Sequence, residues 1–99
     1  MSEAGDRLLG RWRLLHAGGS LDFAPNARME FLRGGRLRYS FDAGTLQQAI
    51  MLVYRVDGDM LLTDNPANPH ARSTRFRFGA GDVLALEFAE ATAWFVREI

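Results

Sequence analysis

The chain has 99 residues, with twelve basic side chains balanced by twelve acidic ones and no cysteine. A chain of this length buries one hydrophobic core, so residues 1–99 are predicted to form one domain, with residues 1–6 disordered. Zero net charge argues against nucleic acid or an anionic membrane as a partner, because such partners select a basic surface. The absence of cysteine excludes disulfides and thiolate chemistry.

The N-terminal segment lacks a basic stretch followed by an apolar one, so no secretory signal is predicted. The longest apolar run, residues 49–54, is too short to span a membrane. We therefore expect a cytoplasmic protein.

Apolar and polar residues alternate with a period of two along much of the chain, as in residues 36–41 and 73–78. This alternation is typical of strands with one buried and one solvated face. Gly34-Gly35 and Asp57-Gly58 predict tight turns, and the proline-rich segment 65–70 predicts a loop. Eight strands result, at residues 8–16, 27–33, 36–42, 47–57, 60–64, 72–79, 83–88 and 92–98. Residues 21–23 extend the first or the second of them.

Short connections between these strands predict that neighbours in sequence pair with one another. The fold class is therefore all-β, a small antiparallel up-and-down (meander) barrel of about eight strands, since closure hides the sheet edges. The alternation leaves two facings open in the last strand: either Ala93, Phe95 and Arg97 point inward, or Trp94 and Val96 do. It also leaves open whether side chains fill the interior or leave room for a small ligand.

The first strand carries Gly10 and Trp12 in a Gly-x-Trp pattern, and the last strand carries Arg97. Together with the meander, these residues resemble the lipocalin and fatty-acid-binding (calycin) pattern, and more narrowly the short bacterial lipocalin-like domains of unassigned function. The resemblance implies that Trp12 plugs one end of the barrel and that Arg97 packs across it. The chain is shorter than a typical lipocalin and lacks its C-terminal helix, which implies a shallow barrel.

The inner face also supplies the candidate ligand-binding residues. His16 continues the inward series from Trp12, which places it at a mouth of the barrel, where it would bind an acidic ligand or act as a base. Arg97 is a candidate anchor for a carboxylate. The full predicted set is Trp12, His16, Tyr39, Tyr54, Phe76, Phe78 and Arg97.

Catalytic and metal chemistry find little support. The sequence has no nucleophile elbow and no phosphate-binding glycine loop. Asp57, Asp59 and Asp64 cluster around a predicted hairpin, but turn formation accounts for Asp57 without a metal. We predict no catalytic residues, no metal and no cofactor.

Apolar residues occupy both faces of residues 49–54, which indicates that the outer face of this strand is covered. A homodimer through the outer face near residues 49–55 would cover it. The leading hypothesis for function is a non-enzymatic barrel that binds a small apolar or amphipathic molecule. The alternative is a structural or interaction module that dimerises through this face, and a small barrel enzyme that uses His16 is the third.

Overall fold

The structure, a computed structural model, describes residues 3–18, 26–88 and 91–98. One short helix precedes eight strands: α1 (Glu3–Leu8), β1 (Gly10–Ala17), β2 (Arg28–Leu32), β3 (Arg36–Ala43), β4 (Leu46–Asp57), β5 (Met60–Asp64), β6 (Arg72–Gly79), β7 (Val83–Glu87) and β8 (Thr92–Glu98). None of the helical residues in these ranges forms a helix long and apolar enough to cross a membrane.

The strands form a closed barrel in which each strand pairs antiparallel with the next and β1 pairs with β8. This confirms the prediction of an all-β, up-and-down barrel of eight strands. The predicted strand boundaries lie within two residues of the observed ones. Residues 21–23 lie outside the described residues.

Helix α1 includes residues 3–6 of the stretch 1–6 that is expected to be disordered, and residues 1 and 2 lie outside the described residues. A helix of this length has little stability of its own, so tertiary contacts must hold it in place. Leu8 is completely buried, and its carbonyl oxygen accepts a hydrogen bond from Trp12 Nε1 at 2.8 Å. The helix is thus fixed by its last residue, against the base of the barrel.

Of the two orientations that the sequence left open for the last strand, the structure has the one in which Ala93 and Phe95 point inward. Ala93 and Phe95 are completely buried and belong to the core, opposite Leu86 and Leu84 of β7. Trp94 faces outward, where the guanidinium of Arg77 lies 4.9 Å from the centre of one of its rings.

A β-bulge interrupts β1 where it pairs with β8. Leu14 lies opposite Phe95, but the next pair is His16 with Trp94, so Leu15 is the extra residue. One extra residue reverses the alternation beyond it. His16 therefore shares the outer face with Trp94 and is exposed, and the prediction that it points into the barrel is wrong.

The interior is filled in one half and open in the other. Trp12, Phe31, Leu84 and Phe95 are almost completely buried in the half next to α1. Tyr39 and Leu52 in the opposite half are only partly buried. Side chains thus fill the half of the barrel next to α1, and they leave a space in the opposite half.

Strand β4, with 12 residues, is more than twice as long as β5, with five. Along its length from Leu46 to Val53 β4 pairs with β3, but β5 pairs only with residues 53–57. Residues 46–52 consequently have a neighbouring strand on one side and none among the described residues on the other.

Candidate functional site

The end of the barrel next to α1 is plugged by Trp12 and Arg97. The indole is completely buried, and the guanidinium carbon of Arg97 lies 4.2 Å from the centre of one of its rings. Arg97 also donates hydrogen bonds to the carbonyl oxygens of Leu9 (2.8 Å) and Arg7 (2.7 Å). The contact that the sequence resemblance implies between Arg97 and Trp12 is present, and it ties β8 to α1.

Gly10 is required by this closure. Its φ of 119° lies in a region that favours glycine, and a Cβ built on it would lie 2.8 Å from Arg97 Nη1. The glycine of the Gly-x-Trp pattern therefore makes room for the arginine that covers the tryptophan.

The plug and the core account for four residues of the predicted ligand site. Trp12 and Arg97 form the plug, and Phe76 is buried in the core. Phe78 packs between Trp12, at 6.2 Å between ring centres, and Phe76, at 5.8 Å. The guanidinium of Arg7 lies over Phe78 at 4.3 Å. These side chains pack against one another inside the barrel, and the guanidinium of Arg97 is engaged by the carbonyl oxygens of Leu9 and Arg7.

The opposite half of the barrel contains a cavity of about 390 Å³ that opens to solvent. Its volume lies at the lower end of the range for small-molecule sites, about 300–1,000 Å³. The apolar lining comes from β2, β3, β4, β5 and β7 and from the residue that follows β7: Met29, Leu37, Ile50, Leu52, Leu61, Leu86 and Phe88.

Polar groups converge on the mouth of this cavity. Thr63 and Arg72 are cross-strand partners, Leu61 and Thr74 are the next pair on the same face, and Tyr39 lines the cavity from β3. Arg72 shares the inner face with the buried Thr74, since the two are separated by one residue of β6. Among the described residues, Arg72 has no ion-pair partner, and neither threonine has a side-chain hydrogen bond. Within the part of the chain that the structure describes, the mouth thus presents one guanidinium and two hydroxyls whose hydrogen-bonding capacity is unused.

The β5–β6 loop borders the mouth. Asp64 Oδ1 accepts hydrogen bonds from the backbone N–H groups of Asn65 and His70, each at 2.8 Å, and so fixes both ends of the loop. His70 and Asn68 line the cavity from this loop. His70 ends the segment 65–70 that the sequence predicts to be a loop; it is exposed, and it also forms part of the cavity wall.

Tyr39 is the member of the predicted set that the structure places in the cavity wall. Tyr54 is on the inner face nearer the plug, where its hydroxyl donates to the Leu32 carbonyl oxygen at 3.3 Å. Burial raises the pKa of both tyrosines, because it disfavours the phenolate. Tyr39 therefore offers a neutral hydroxyl, able to donate or accept a hydrogen bond.

The three aspartates that cluster in sequence are separated in role. Asp57 ends β4 opposite Met60, Asp59 pairs with Arg75 at 3.3 Å, and Asp64 holds the loop described above. Across residues 3–18, 26–88 and 91–98, no group of three His, Cys, Asp or Glu side chains comes close enough to hold a metal ion.

Sequence reasoning missed Thr63, Arg72 and Thr74. The signal was available, because Thr63 continues the inward alternation from Leu61, and Arg72 and Thr74 continue it from Phe76. A search of the inner face for apolar residues alone does not find polar residues at inward positions. The part played by His70 could not be found, since alternation does not describe the path of a loop.

The fold and the site together define a closed, up-and-down antiparallel barrel that is plugged at one end and has an apolar cavity with a polar mouth at the other. No protein-family model and no curated protein matches the chain.

Proposed function

We propose that this protein is a non-enzymatic binding barrel that holds a small amphipathic molecule in its open half. The observation that carries the proposal is the 390 Å³ cavity, whose apolar floor ends in a polar mouth. At this mouth the side chains of Thr63, Arg72 and Thr74 have no partners among the described residues, whereas Asp64 is held by backbone N–H groups of its own loop. Each methylene group transferred from water to such a floor contributes about 0.8 kcal/mol. The polar end of the ligand would then replace water at the mouth.

The closed end supports a lipocalin-like, calycin-type assignment. Gly10, Trp12 and Arg97 make the contacts with one another that this resemblance implies, and the strands follow the expected meander. In this proposal the plug is structural and binding is confined to the other end. His16, on which the enzyme hypothesis depended, is outside the barrel.

Arg72 gives the ligand a preferred charge. It is a cation on the inner face at the mouth, and no described acidic side chain pairs with it. The preferred ligand is therefore an anionic amphiphile, whose apolar chain contacts Leu37, Leu52 and Leu61 while its acid group meets Arg72. In this proposal the hydroxyl of Thr63, the cross-strand neighbour of Arg72, donates to the same group.

The test compares binding of dodecanoate with that of dodecanol, which has the same chain length and no charge, by calorimetry. We expect saturable binding of both, tighter for dodecanoate. Arg72→Gln should weaken dodecanoate binding about three- to tenfold and leave dodecanol unchanged, since a partly exposed charged contact is worth about 0.5–1.5 kcal/mol. Arg38→Gln makes the same charge change on an exposed, outward-facing position and is the matched control.

A second pair of variants tests the location. Thr63→Trp places an indole in the mouth and should abolish binding, whereas Leu62→Trp places it on the outer face of the same strand and should not. Failure of the wild type to bind either probe would overturn the proposal. Unchanged binding by Thr63→Trp would show that the probes bind elsewhere.

A further inference from the structure

The free edge of β4 is the feature that ligand binding does not use. Hairpin turns make Ala43–Leu46 and Asp57–Met60 the first hydrogen-bonded pairs of the two ladders that β4 forms. Because such pairs alternate along an antiparallel ladder, even-numbered residues of β4 bond to β3 and odd-numbered ones face the β5 side. Gln47, Ala49 and Met51 therefore direct their N–H and C=O groups to an edge with no partner among the described residues.

The charged residues of β4 lie in its paired half, whereas an exposed edge is expected to carry them in the unpaired half. Proteins protect such edges with charged side chains or proline, because unpaired backbone groups recruit other strands. Arg55 and Asp57 lie in the half that is already paired with β5, and residues 43–54 contain no charged residue and no proline. The unpaired half is thus the unprotected half.

Apolar side chains are exposed on both faces of this edge. On the inner side, 66% of Leu46 and 39% of Ile50 are accessible to solvent. On the outer side, 46% of Met51 and 43% of Val53 are accessible. A strand laid along the edge would cover residues on both faces, whereas a surface packed on the outside would cover only Met51 and Val53.

We propose that the edge of β4 formed by residues 46–52 pairs with the same edge of a second copy of this chain. Antiparallel pairing of two identical strands is satisfied by a two-fold axis, in which each copy supplies the same surface. Because residues 43–54 are uncharged, no like charges oppose one another. The edge needs no other partner, since each copy supplies the N–H donors and C=O acceptors that the other lacks.

The association is distinct from packing of outer faces, which the sequence pattern alone suggested for residues 49–55. It also does not depend on the proposed ligand, because the bonding groups belong to the backbone. Ile50 and Leu52 line the cavity, so the partner strand would lie beside the cavity wall without forming its floor.

The test uses Ala49→Pro, which removes one edge N–H and leaves the even-numbered bonds to β3 intact. We expect the wild type to be a dimer by multi-angle light scattering and Ala49→Pro to be a folded monomer by scattering and circular dichroism. Ala49→Val keeps the N–H and should remain a dimer. A monomeric wild type would overturn the proposal. The proposal would also fail if Ala49→Pro remained a dimer and the further substitution Val53→Glu made that variant a monomer, because this pair of results indicates packing of the outer faces.

Hydrogen exchange gives a second readout that needs no variant. In the proposed dimer the amides of Gln47, Ala49 and Met51 exchange slowly, as do those of Gln48 and Ile50, which bond to β3 in either state. Rapid exchange confined to the odd-numbered amides at concentrations where the protein is dimeric would contradict edge pairing.

Discussion

Arg97 and Trp12 lie opposite each other on neighbouring strands, and the guanidinium of the first covers the indole of the second at 4.2 Å. Each side chain also bonds to the backbone around α1, Trp12 to Leu8 and Arg97 to Leu9 and Arg7. One pair of residues therefore joins the first strand, the last strand and the helix.

Loss of this pair should destabilise the barrel. Arg97→Met removes the cation and two charged hydrogen bonds but keeps an apolar stem, and we expect the free energy of unfolding to fall by about 2–4 kcal/mol. Urea denaturation measures the change. Arg38→Met, at an exposed outer position, is the control and should change it by less than about 0.5 kcal/mol.

Gly10→Ala should be destabilising through the same contact. The new methyl would stand against Arg97 Nη1 on a backbone with φ of 119°, and such strain costs about 1–3 kcal/mol. Gly44→Ala, where φ is also positive but no atom lies within 4 Å of the position that a methyl group would take, should cost less. In the Arg97→Met background the cost of Gly10→Ala should shrink, and an unchanged cost would mean that the contact with Arg97 contributes nothing to it.

Thr74→Val should leave the stability of the barrel nearly unchanged. Thr74 is only 7% exposed, yet its hydroxyl has no hydrogen bond with the described residues. An isosteric apolar side chain should therefore leave the free energy of unfolding within about 1 kcal/mol of wild type, or raise it. A large loss of stability in thermal unfolding would show that the hydroxyl is used in the fold.

Stability should decrease at high pH because of the two tyrosines. The folded-state pKa of Tyr39 and of Tyr54 is raised by burial above the unfolded value of 10.0. A raised pKa means that the folded state holds the phenol proton more tightly than the unfolded state does. The resulting contribution to the free energy of unfolding is fully present below the unfolded-state pKa, and it is lost as the pH rises through the folded-state pKa. Urea denaturation from neutral pH to about pH 11 should show the loss, and Tyr39→Phe should reduce it. An equal alkaline loss in the Tyr39→Phe, Tyr54→Phe double variant would point to other groups.

The alternation of residue types was sufficient to predict the strands and their order, because most strands have one solvated face and most connections are short turns. Strand β7 is an exception, since Leu84, Ala85 and Leu86 are all buried. It predicted that Trp12 points inward and left the facing of Phe95 open, and the complete burial of both depends on the closure of the ring. The bulge at Leu15 could not be foreseen, since a single extra residue leaves no mark on composition. That one residue removed His16 from the interior.

The cavity was harder to predict than the fold. Aromatic residues suggested the location of a ligand, but most of them pack into the plugged half with Trp12. The polar mouth depends on Arg72 and on the course of the loop that Asp64 fixes, and neither follows from a count of apolar residues.

Closure of the barrel has a consequence for the order of folding. Seven of the eight strand pairings join neighbours in sequence, whereas β1 and β8 bring Arg11 beside Glu98 from opposite ends of the chain. Contacts between distant segments form late, because the chain entropy lost in bringing them together is large. Arg97 lies on the seam formed by the pairing of β1 with β8. Its substitution should therefore accelerate unfolding and leave the refolding rate nearly unchanged. The seam would then set how long a folded barrel lasts, and the hairpins how quickly one forms.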